Sequence, residues 1–340
     1  MDQLTAHLDR GWDLAQKGDA QGAIACAKRA LEIDPESPEV HNLLGYTTAL
    51  NGDSEEALEH YRQAIALDET YFEAMLNCAE LCMNPLSDWN EAIVLCDDAL
   101  EYAETPAEIC DCVLLKVDAY LGKGDLPGAK RCMLELPEPP PENPAYTFLI
   151  GRAYYEMGDA EQARALLEDS AKRDPEHPDA HYYVGLVREE LGDPKGAVEE
   201  FLRARSTDLL RAPPLWSPTP DAFGQSVKRV VQNLDAILGR YVRHAEVYVV
   251  DLPGAELVVD GVDPRALMIL DAPPLEDPTL LIGEPASLYA RLFVYQRNVE
   301  RAAGILERVE LELAQALERE ITTVFLDREK KSPDEKKHLN

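Results

Sequence analysis

The residues of this 340-residue chain with the most evident capacity for chemistry are its seven cysteines. Cys78 and Cys82 lie one helical turn apart, whereas Cys110 and Cys112 are two residues apart and do not share a helix face. The number of cysteines is odd, and residues 1–4 begin no basic and apolar secretion signal, so a disulfide framework is not expected. We therefore expect buried, reduced thiols at Cys26, Cys78, Cys82, Cys96, Cys110, Cys112 and Cys132.

Other sequence patterns of catalysis are absent. The chain contains no G-x-S-x-G elbow, no phosphate-binding P-loop and no G-x-G-x-x-G fingerprint. Beyond residue 210 the histidines are His244 and His338, both far in sequence from the last predicted helix. We predict no catalytic residue, no metal site and no cofactor.

The elements that position side chains repeat with a period of 34 residues. Residues 34–64 and 174–204 both open Asp-Pro-Glu-x-Pro, carry His seven residues after that Asp, and continue through Gly, Gly-Asp and two alanines. Gly18 and Gly52 are 34 residues apart, as are Gly124 and Gly158, and Gly158 and Gly192. A fixed period of this length predicts stacked helix pairs, and therefore a solenoid.

This pattern resembles the tetratricopeptide repeat over residues 4–208, as six repeats. Small residues occupy the positions where two helices of the family cross, including Gly11, Gly45, Gly151 and Gly185 in the first helices and Ala23, Ala57, Ala129, Ala163 and Ala197 in the second helices. Repeat three departs from the pattern, because residues 84–89 replace its Gly-Asp turn. The resemblance implies an all-α solenoid of helix-turn-helix repeats.

In this repeat family the first helices line a concave groove that receives peptides. The resemblance assigns to partner binding the residues Trp12, Asn42, Tyr46, Phe148, Arg152, Tyr155, Tyr182, Tyr183 and Glu189, and it maps the carboxylates Asp111, Asp118, Glu156 and Glu190 to the same groove. Aromatic residues mixed with carboxylates suit a protein or peptide segment with apolar and basic side chains. Leu8 and Trp12 occupy the Lys and Asn positions of the family's carboxylate clamp, so that clamp is not expected. In the alternative interpretation some tyrosines only pack between adjacent helices.

The net charge of −31 is concentrated in the repeats, since residues 1–210 carry −26 and residues 211–340 carry −5. Such a field repels nucleic acid and anionic membranes and attracts basic partners, although simple solubility also explains it. No apolar run reaches the length of a membrane span. We expect a cytoplasmic protein.

Beyond the repeats we predict a proline-rich linker at 209–219, a small α+β domain at 220–328 and a disordered, charged tail at 329–340. Periodicity predicts a helix over 221–238, strands over 245–252 and 287–295, a loop or short strand at 258–262, a short apolar run at 267–270 and one long helix over 298–325.

This order of elements resembles that of the bacterial minimal zincins, which are short zinc metallopeptidase-like domains. The resemblance is carried by residues 223–238, 247–253 and 293–301, and it aligns residues 317–325 with the helix of the H-E-x-x-H motif. In that motif two histidines bind zinc and the glutamate activates the bound water. Arg319 and Thr323 stand at the ligand positions and only Glu320 matches. Arginine stays protonated and cannot bind zinc, so these positions are vestigial and the domain is interpreted as a pseudo-peptidase.

The sequence therefore favours a non-catalytic adaptor, with a peptide-binding groove in the repeats and the zincin-like domain as a second interaction surface. One alternative is a residual or atypical metal-dependent peptidase. Another is a regulator that uses the zincin-like domain to bind a peptide without cleaving it.

Overall fold

A computed structural model describes residues 2–138, 140, 142–272 and 290–326, and it divides the chain into two compact units, Met1–Ala197 and Val198–Asn340. The division falls inside the last helix of the repeat region, before the proline-rich segment. The predicted domain bounds of 1–208, 209–219 and 220–328 stay a prediction. The tail predicted at 329–340 lies outside the described residues.

Helices alternate in pairs along the repeat region, and six such pairs lie between Gln3 and Leu210 among the residues described there, as the predicted solenoid requires. The first helices are α1 Gln3–Gln16, α3 Pro38–Leu50, α5 Phe72–Met83, α7 Pro106–Gly122, α9 Pro144–Glu156 and α11 Pro178–Glu190. The second helices are α2 Ala20–Ile33, α4 Ser54–Leu67, α6 Trp89–Tyr102, α8 Leu126–Cys132, α10 Ala160–Arg173 and α12 Pro194–Leu210. A 3₁₀ turn, Met133–Glu135, extends the short α8.

The recurring Gly-Asp dipeptide builds the turn inside each regular pair. Gly52 has φ +88°, and the equivalent glycines lie between +77° and +83°, a left-handed conformation that strongly favours glycine. The aspartate that follows caps the next helix: Asp53 Oδ1 accepts a hydrogen bond from Glu56 N at 3.2 Å. In repeat three Ser87 takes the positive φ, at +57°, and Asp88 Oδ1 still caps α6 through Glu91 N at 3.2 Å. The degenerate sequence therefore keeps the same turn chemistry.

Small residues let the paired helices approach closely. A Cβ atom placed on Gly45 would lie 2.6 Å from the Tyr61 ring, which a real side chain cannot do. The matching alanines of the second helices are at most 1% exposed. All seven cysteines are free and buried, as predicted. Burial raises the pKa of the Cys110 thiol to about 11 and that of Cys132 to about 12, so these thiols stay protonated at neutral pH.

The second unit contains a three-stranded sheet of order β1-β3-β2, formed by β1 Glu246–Val250, β2 Met268–Asp271 and β3 Arg291–Tyr295. β1 is parallel to β3, with Val249 opposite Val294, and β2 is antiparallel to β3, with Leu270 opposite Leu292. The face that carries these four residues packs into one apolar core with α13 Pro220–Asn233 and α17 Val309–Ile321.

Three predicted elements of this unit differ from the observed ones. The helix predicted over 221–238 is two helices, because Leu234 is extended and Asp235 caps a new helix, α14 Ala236–Val242. The segment 258–262, predicted as a loop or short strand, begins with the last two residues of α15 Ala255–Val259 and continues through Gly261 at φ +95°. The single long helix predicted over 298–325 is interrupted at Gly304, with φ +71°, into α16 Gln296–Ala303, a 3₁₀ turn Leu306–Arg308, α17 and a π-helical turn Thr322–Leu326.

The end of α12 and the proline-rich segment pack within the second unit. Arg297 Nη1 donates to the main-chain carbonyls of Asp208, Leu209 and Arg211 at 3.0, 3.1 and 2.9 Å, which satisfies the open carbonyl end of α12. The buried Asp208 carboxylate pairs with Arg301. Trp216 packs against the apolar core of this unit.

The histidine of the Asp-Pro-Glu-x-Pro motif ties the start of a first helix to the loop before it. His41 Nε2 lies 3.0 Å from the Pro35 carbonyl, and His181 Nε2 lies 3.0 Å from the Pro175 carbonyl. A carbonyl can only accept, so Nε2 of His41 carries the proton and its Nδ1 is an acceptor when the ring is neutral.

His60 of α4 faces that acceptor, with the two Nδ1 atoms 3.4 Å apart and the ring centroids 5.7 Å apart. The two ring centroids are separated by the Nδ1–Nδ1 distance plus about one imidazole radius at each end. The two Nδ1 atoms therefore point toward each other along the line that joins the rings. One proton fits between them, donated by His60, whereas two protons would repel. Burial, then His41 and Lys28, lower the pKa of His60, against the opposing effect of Glu56 and Glu59.

We therefore expect acid to destabilise the repeat unit through His60. Unfolded His60 takes up its proton below about pH 6.5, while the folded residue resists protonation, so this contribution to stability is full above that pH and is lost as pH falls through the lowered pKa. Urea unfolding followed by circular dichroism should show that His60→Asn loses less stability than wild type between about pH 7 and pH 5.5. His7→Asn, outside the pair, is the control. Identical losses in wild type and His60→Asn would show that the pair carries no proton linkage.

Candidate functional site

The predicted groove residues lie on the first helices α1, α3, α9 and α11. They form two stretches, one in repeats one and two and one in repeats five and six, and the carboxylates of α5 and α7 lie between them in sequence. The contacts that each side chain already makes decide whether it remains available to a partner.

The stretch in repeats five and six is an aromatic cluster. Tyr183 lies perpendicular to Tyr155, with ring centroids 5.7 Å apart at 86°, and to Tyr182, at 5.9 Å and 89°. Phe148, 7% exposed, packs beneath them against Tyr183 at 5.7 Å and His177 at 4.8 Å. The three tyrosines are half-buried, so their rings are held in place and still reach solvent. Phe148 supports the cluster from the core.

Arg152 links carboxylates of adjacent repeats beside this cluster. Its Nη2 donates to Asp118 Oδ2 at 2.6 Å, and its Nε lies 3.5 Å from Glu156 Oε1. Tyr183 Oη donates to the same Glu156 oxygen at 2.9 Å. Burial raises the pKa of both carboxyl groups, and Arg152 opposes that rise. Two carboxylates share one guanidinium, so the local charge stays negative.

Further carboxylates surround the Tyr155 hydroxyl. Burial raises the pKa of Tyr155, and the charges of Glu190, Glu189 and Glu156 raise it further. Glu189 and Glu190 are exposed and end α11, while Glu156 ends α9. Tyr155 therefore lies near the carboxylates that end α9 and α11, whereas Tyr182 and Tyr183 lie in the first half of α11.

Carboxylates also lie on the neighbouring first helices α5 and α7. Tyr146 Oη donates to Asp111 Oδ1 at 2.9 Å. Burial raises the pKa of Asp111, and both burial and the Asp111 charge raise the pKa of Glu80, although Glu80 is exposed to solvent.

In repeats one and two the predicted residues are engaged with neighbouring helices. Trp12 and Tyr46 stack obliquely, with centroids 5.1 Å apart at 50°. Asn42 is buried; its Nδ2 donates to Tyr71 Oη at 3.2 Å and its Oδ1 accepts from Asn77 Nδ2 at 3.0 Å. Asn42 thus connects α3 to α5 in the structure.

Several partners of these residues were not singled out from the sequence, namely Tyr71, Asn77, Glu80, Tyr146 and His177. A signal for some of them existed in the repeat period. Asp118 and Arg152 are 34 residues apart, and the pairs Asn42 with Asn77 and Asp111 with Tyr146 are 35 residues apart. Side chains one period apart lie on adjacent first helices, so polar pairs at that spacing are expected to meet.

The three positions that the sequence analysis aligned with the zinc motif lie at the end of α17 and in the π-helical turn. Glu320 Oε2 accepts a hydrogen bond from Leu270 N of β2 at 3.4 Å, and burial raises its pKa. Arg319 and Thr323 line a shallow, open depression with Gln315, Glu318 and Thr322. Within the described ranges, no three His, Cys, Asp or Glu side chains converge as a metal-binding group.

The described helices include none that is long and apolar enough to cross a membrane.

The fold and the lining of its first helices define a repeat solenoid. The sequence model of the tetratricopeptide repeat family matches residues 8–71 and 148–209, which are the first two and last two repeats. The chain therefore contains tetratricopeptide repeats, and the resemblance found in the sequence is confirmed for the repeats. Proteins with such repeats generally mediate protein–protein interaction.

Solved structures show the same fold at low identity. PilW, described as a widely conserved type IV pilus biogenesis factor, is 17% identical with a TM-score of 0.53, over 61% of this chain and 94% of that one. PilF of Pseudomonas aeruginosa is 19% identical with a TM-score of 0.50, over 60% and 91%. No curated protein matches the chain.

Proposed function

We propose that this protein is a non-catalytic adaptor that binds a segment of a partner protein in the groove of its repeats. The observation that carries the proposal is the lining of α9 and α11, where three half-buried tyrosines pack together, Tyr183 donates to Glu156, and Tyr155 lies near Glu156, Glu189 and Glu190. Rigid aromatic rings supply contact area at low entropic cost, and they are enriched in binding surfaces. The tyrosines also pack against each other. In this proposal the same rings both pack between adjacent helices and contact the partner.

The partner segment has apolar and basic side chains in this proposal. Tyrosine rings take apolar groups, and the carboxylates along α7, α9 and α11 outnumber Arg152, the cation that pairs with two of them. The repeat region holds −26 of the net charge of −31. This negative field attracts basic partners and repels nucleic acid and anionic membranes. The free cysteines are consistent with a cytoplasmic site of action.

We further propose that residues 220–328 form a degenerate minimal-zincin-like domain that acts as a second interaction surface. Glu320, at the general-base position, is engaged with the β2 backbone. The neighbouring ligand positions hold Arg319 and Thr323, and a guanidinium repels a divalent cation at close range. These contacts suit a pseudo-peptidase.

The groove assignment predicts that Tyr155→Ala with Tyr182→Ala weakens partner binding by tenfold or more, on the order of 1–3 kcal/mol, because each change removes an aromatic contact. Isothermal titration with the partner, and its salt dependence, measure the loss. Tyr102→Ala is the matched control, since Tyr102 lies on the second helix α6 and is 38% exposed. Helical circular dichroism should stay near wild type in both variants. Unchanged affinity in the folded double variant would remove the groove from the account.

The pseudo-peptidase assignment predicts well under one zinc per purified chain by elemental analysis, and Glu320→Gln should leave the role of the protein in cells unchanged. Arg319→His with Thr323→His restores both histidine ligands of the helix, so this folded double variant should bind more zinc than the wild type. Equal zinc in the two proteins would count against the alignment of residues 317–325 with the zinc helix. Stoichiometric zinc in the wild type, lost on chelation together with hydrolysis of peptides, would favour the metal-dependent peptidase instead.

A further inference from the structure

The aromatic cluster of repeats five and six contains a subsite whose chemistry is narrower than that of the whole groove. We propose that Tyr155, Tyr182 and Tyr183 receive one cationic side chain of the partner segment, a lysine or an arginine, with its charge directed toward Glu189 and Glu190. The inference rests on the proposed function of the groove and names the chemistry of one contact within it.

The three tyrosine rings pack edge to face, and each ring is only partly buried. Tyr155 and Tyr182 each stand nearly perpendicular to Tyr183, at 86° and 89°, so the three rings do not form one flat stack. The face of an aromatic ring carries negative charge density and attracts a cation within about 6 Å. Such rings also contact the methylene stem of lysine or arginine, which is apolar.

The backbone adds to the negative potential at the same place. Glu156 is the last residue of α9, and Glu189 and Glu190 are the last two residues of α11. The carboxyl end of a helix already carries a partial negative charge, so carboxylates there are unfavourable for the helix itself. Their position is explained by a cationic ligand, which gains from both the side chains and the helix ends.

Internal pairing leaves this charge for a partner. Arg152 is shared between Asp118 and Glu156, and Tyr183 also donates to Glu156. Across the part of the chain that the structure describes, no recorded ion pair involves Glu189 or Glu190, and both residues are exposed. A cation bound beside Tyr155 can therefore pair with Glu189 and Glu190 without the loss of an ion pair inside the protein.

This chemistry predicts how modification of the partner acts. A trimethylated lysine keeps its positive charge, and cation–π attraction does not require an N–H group, so binding persists. Acetylation removes the charge and abolishes the attraction to both rings and carboxylates. Norleucine has an apolar stem like that of lysine but no charge, so its affinity measures the contribution of the stem alone.

The test uses the full chain and end-blocked octapeptides of leucine and serine with one central residue, which is lysine, arginine, trimethyllysine, acetyllysine or norleucine. Fluorescence anisotropy of labelled peptides gives the affinities. We expect the three cationic peptides to bind about tenfold more tightly than the two neutral ones. Glu189→Gln with Glu190→Gln should weaken the lysine peptide several-fold and leave the norleucine peptide unchanged. Asp98→Asn with Glu101→Gln removes two exposed charges from α6 and is the matched control.

The outcomes separate the subsite from the groove. Equal affinity for all five peptides, lost in Tyr155→Ala with Tyr182→Ala, would overturn the cation subsite and leave the groove standing. An equal effect of both charge-removing variants would also overturn it, because general electrostatics would then account for the preference. Failure of every peptide to bind at about 1 mM, weaker than ordinary peptide affinities, would contradict both the subsite and the proposed function.

Discussion

The close crossing of paired helices is the constraint on which the rest of the repeat unit depends. Gly45 leaves room for the Tyr61 ring and the buried alanines do the same elsewhere, while the left-handed glycine and the capping aspartate reverse the chain at the same point of each regular repeat. Because these features recur every 34 residues, side chains one period apart lie on neighbouring first helices. The Asp118–Arg152 pair, which joins side chains 34 residues apart, is a consequence of that register.

The sequence was sufficient for the repeat unit because its signals are local. The turn glycines, the capping aspartates and the small crossing residues each act within a few positions, so even the irregular third repeat could be aligned, with Ser87 and Asp88 replacing Gly-Asp. Burial of the cysteines followed from the same pattern. What the pattern did not show is which groove side chains are already bonded, such as Asn42 to Tyr71 and Asn77, since those contacts join different repeats.

The second unit was harder to predict because single residues interrupt its elements. Asp235 begins a new helix inside a continuous apolar period, and Gly304 breaks a pattern that otherwise predicts one long helix. Apolar periodicity reports which face is buried and says little about where a helix ends. Nor did the sequence indicate that Arg297 would bind the carbonyl end of α12, because that contact spans almost ninety residues.

The central claim is that the first-helix face of repeats five and six holds the partner. Its most direct test is a photo-reactive phenylalanine analogue at position 182 of the full chain in its native host, compared with the same analogue at position 102 on α6. The account predicts that position 182 cross-links a defined segment of one partner protein and that Glu189→Gln with Glu190→Gln reduces this product. Cross-linking from position 102 with none from position 182 would contradict the account and would assign binding to the other face of the solenoid.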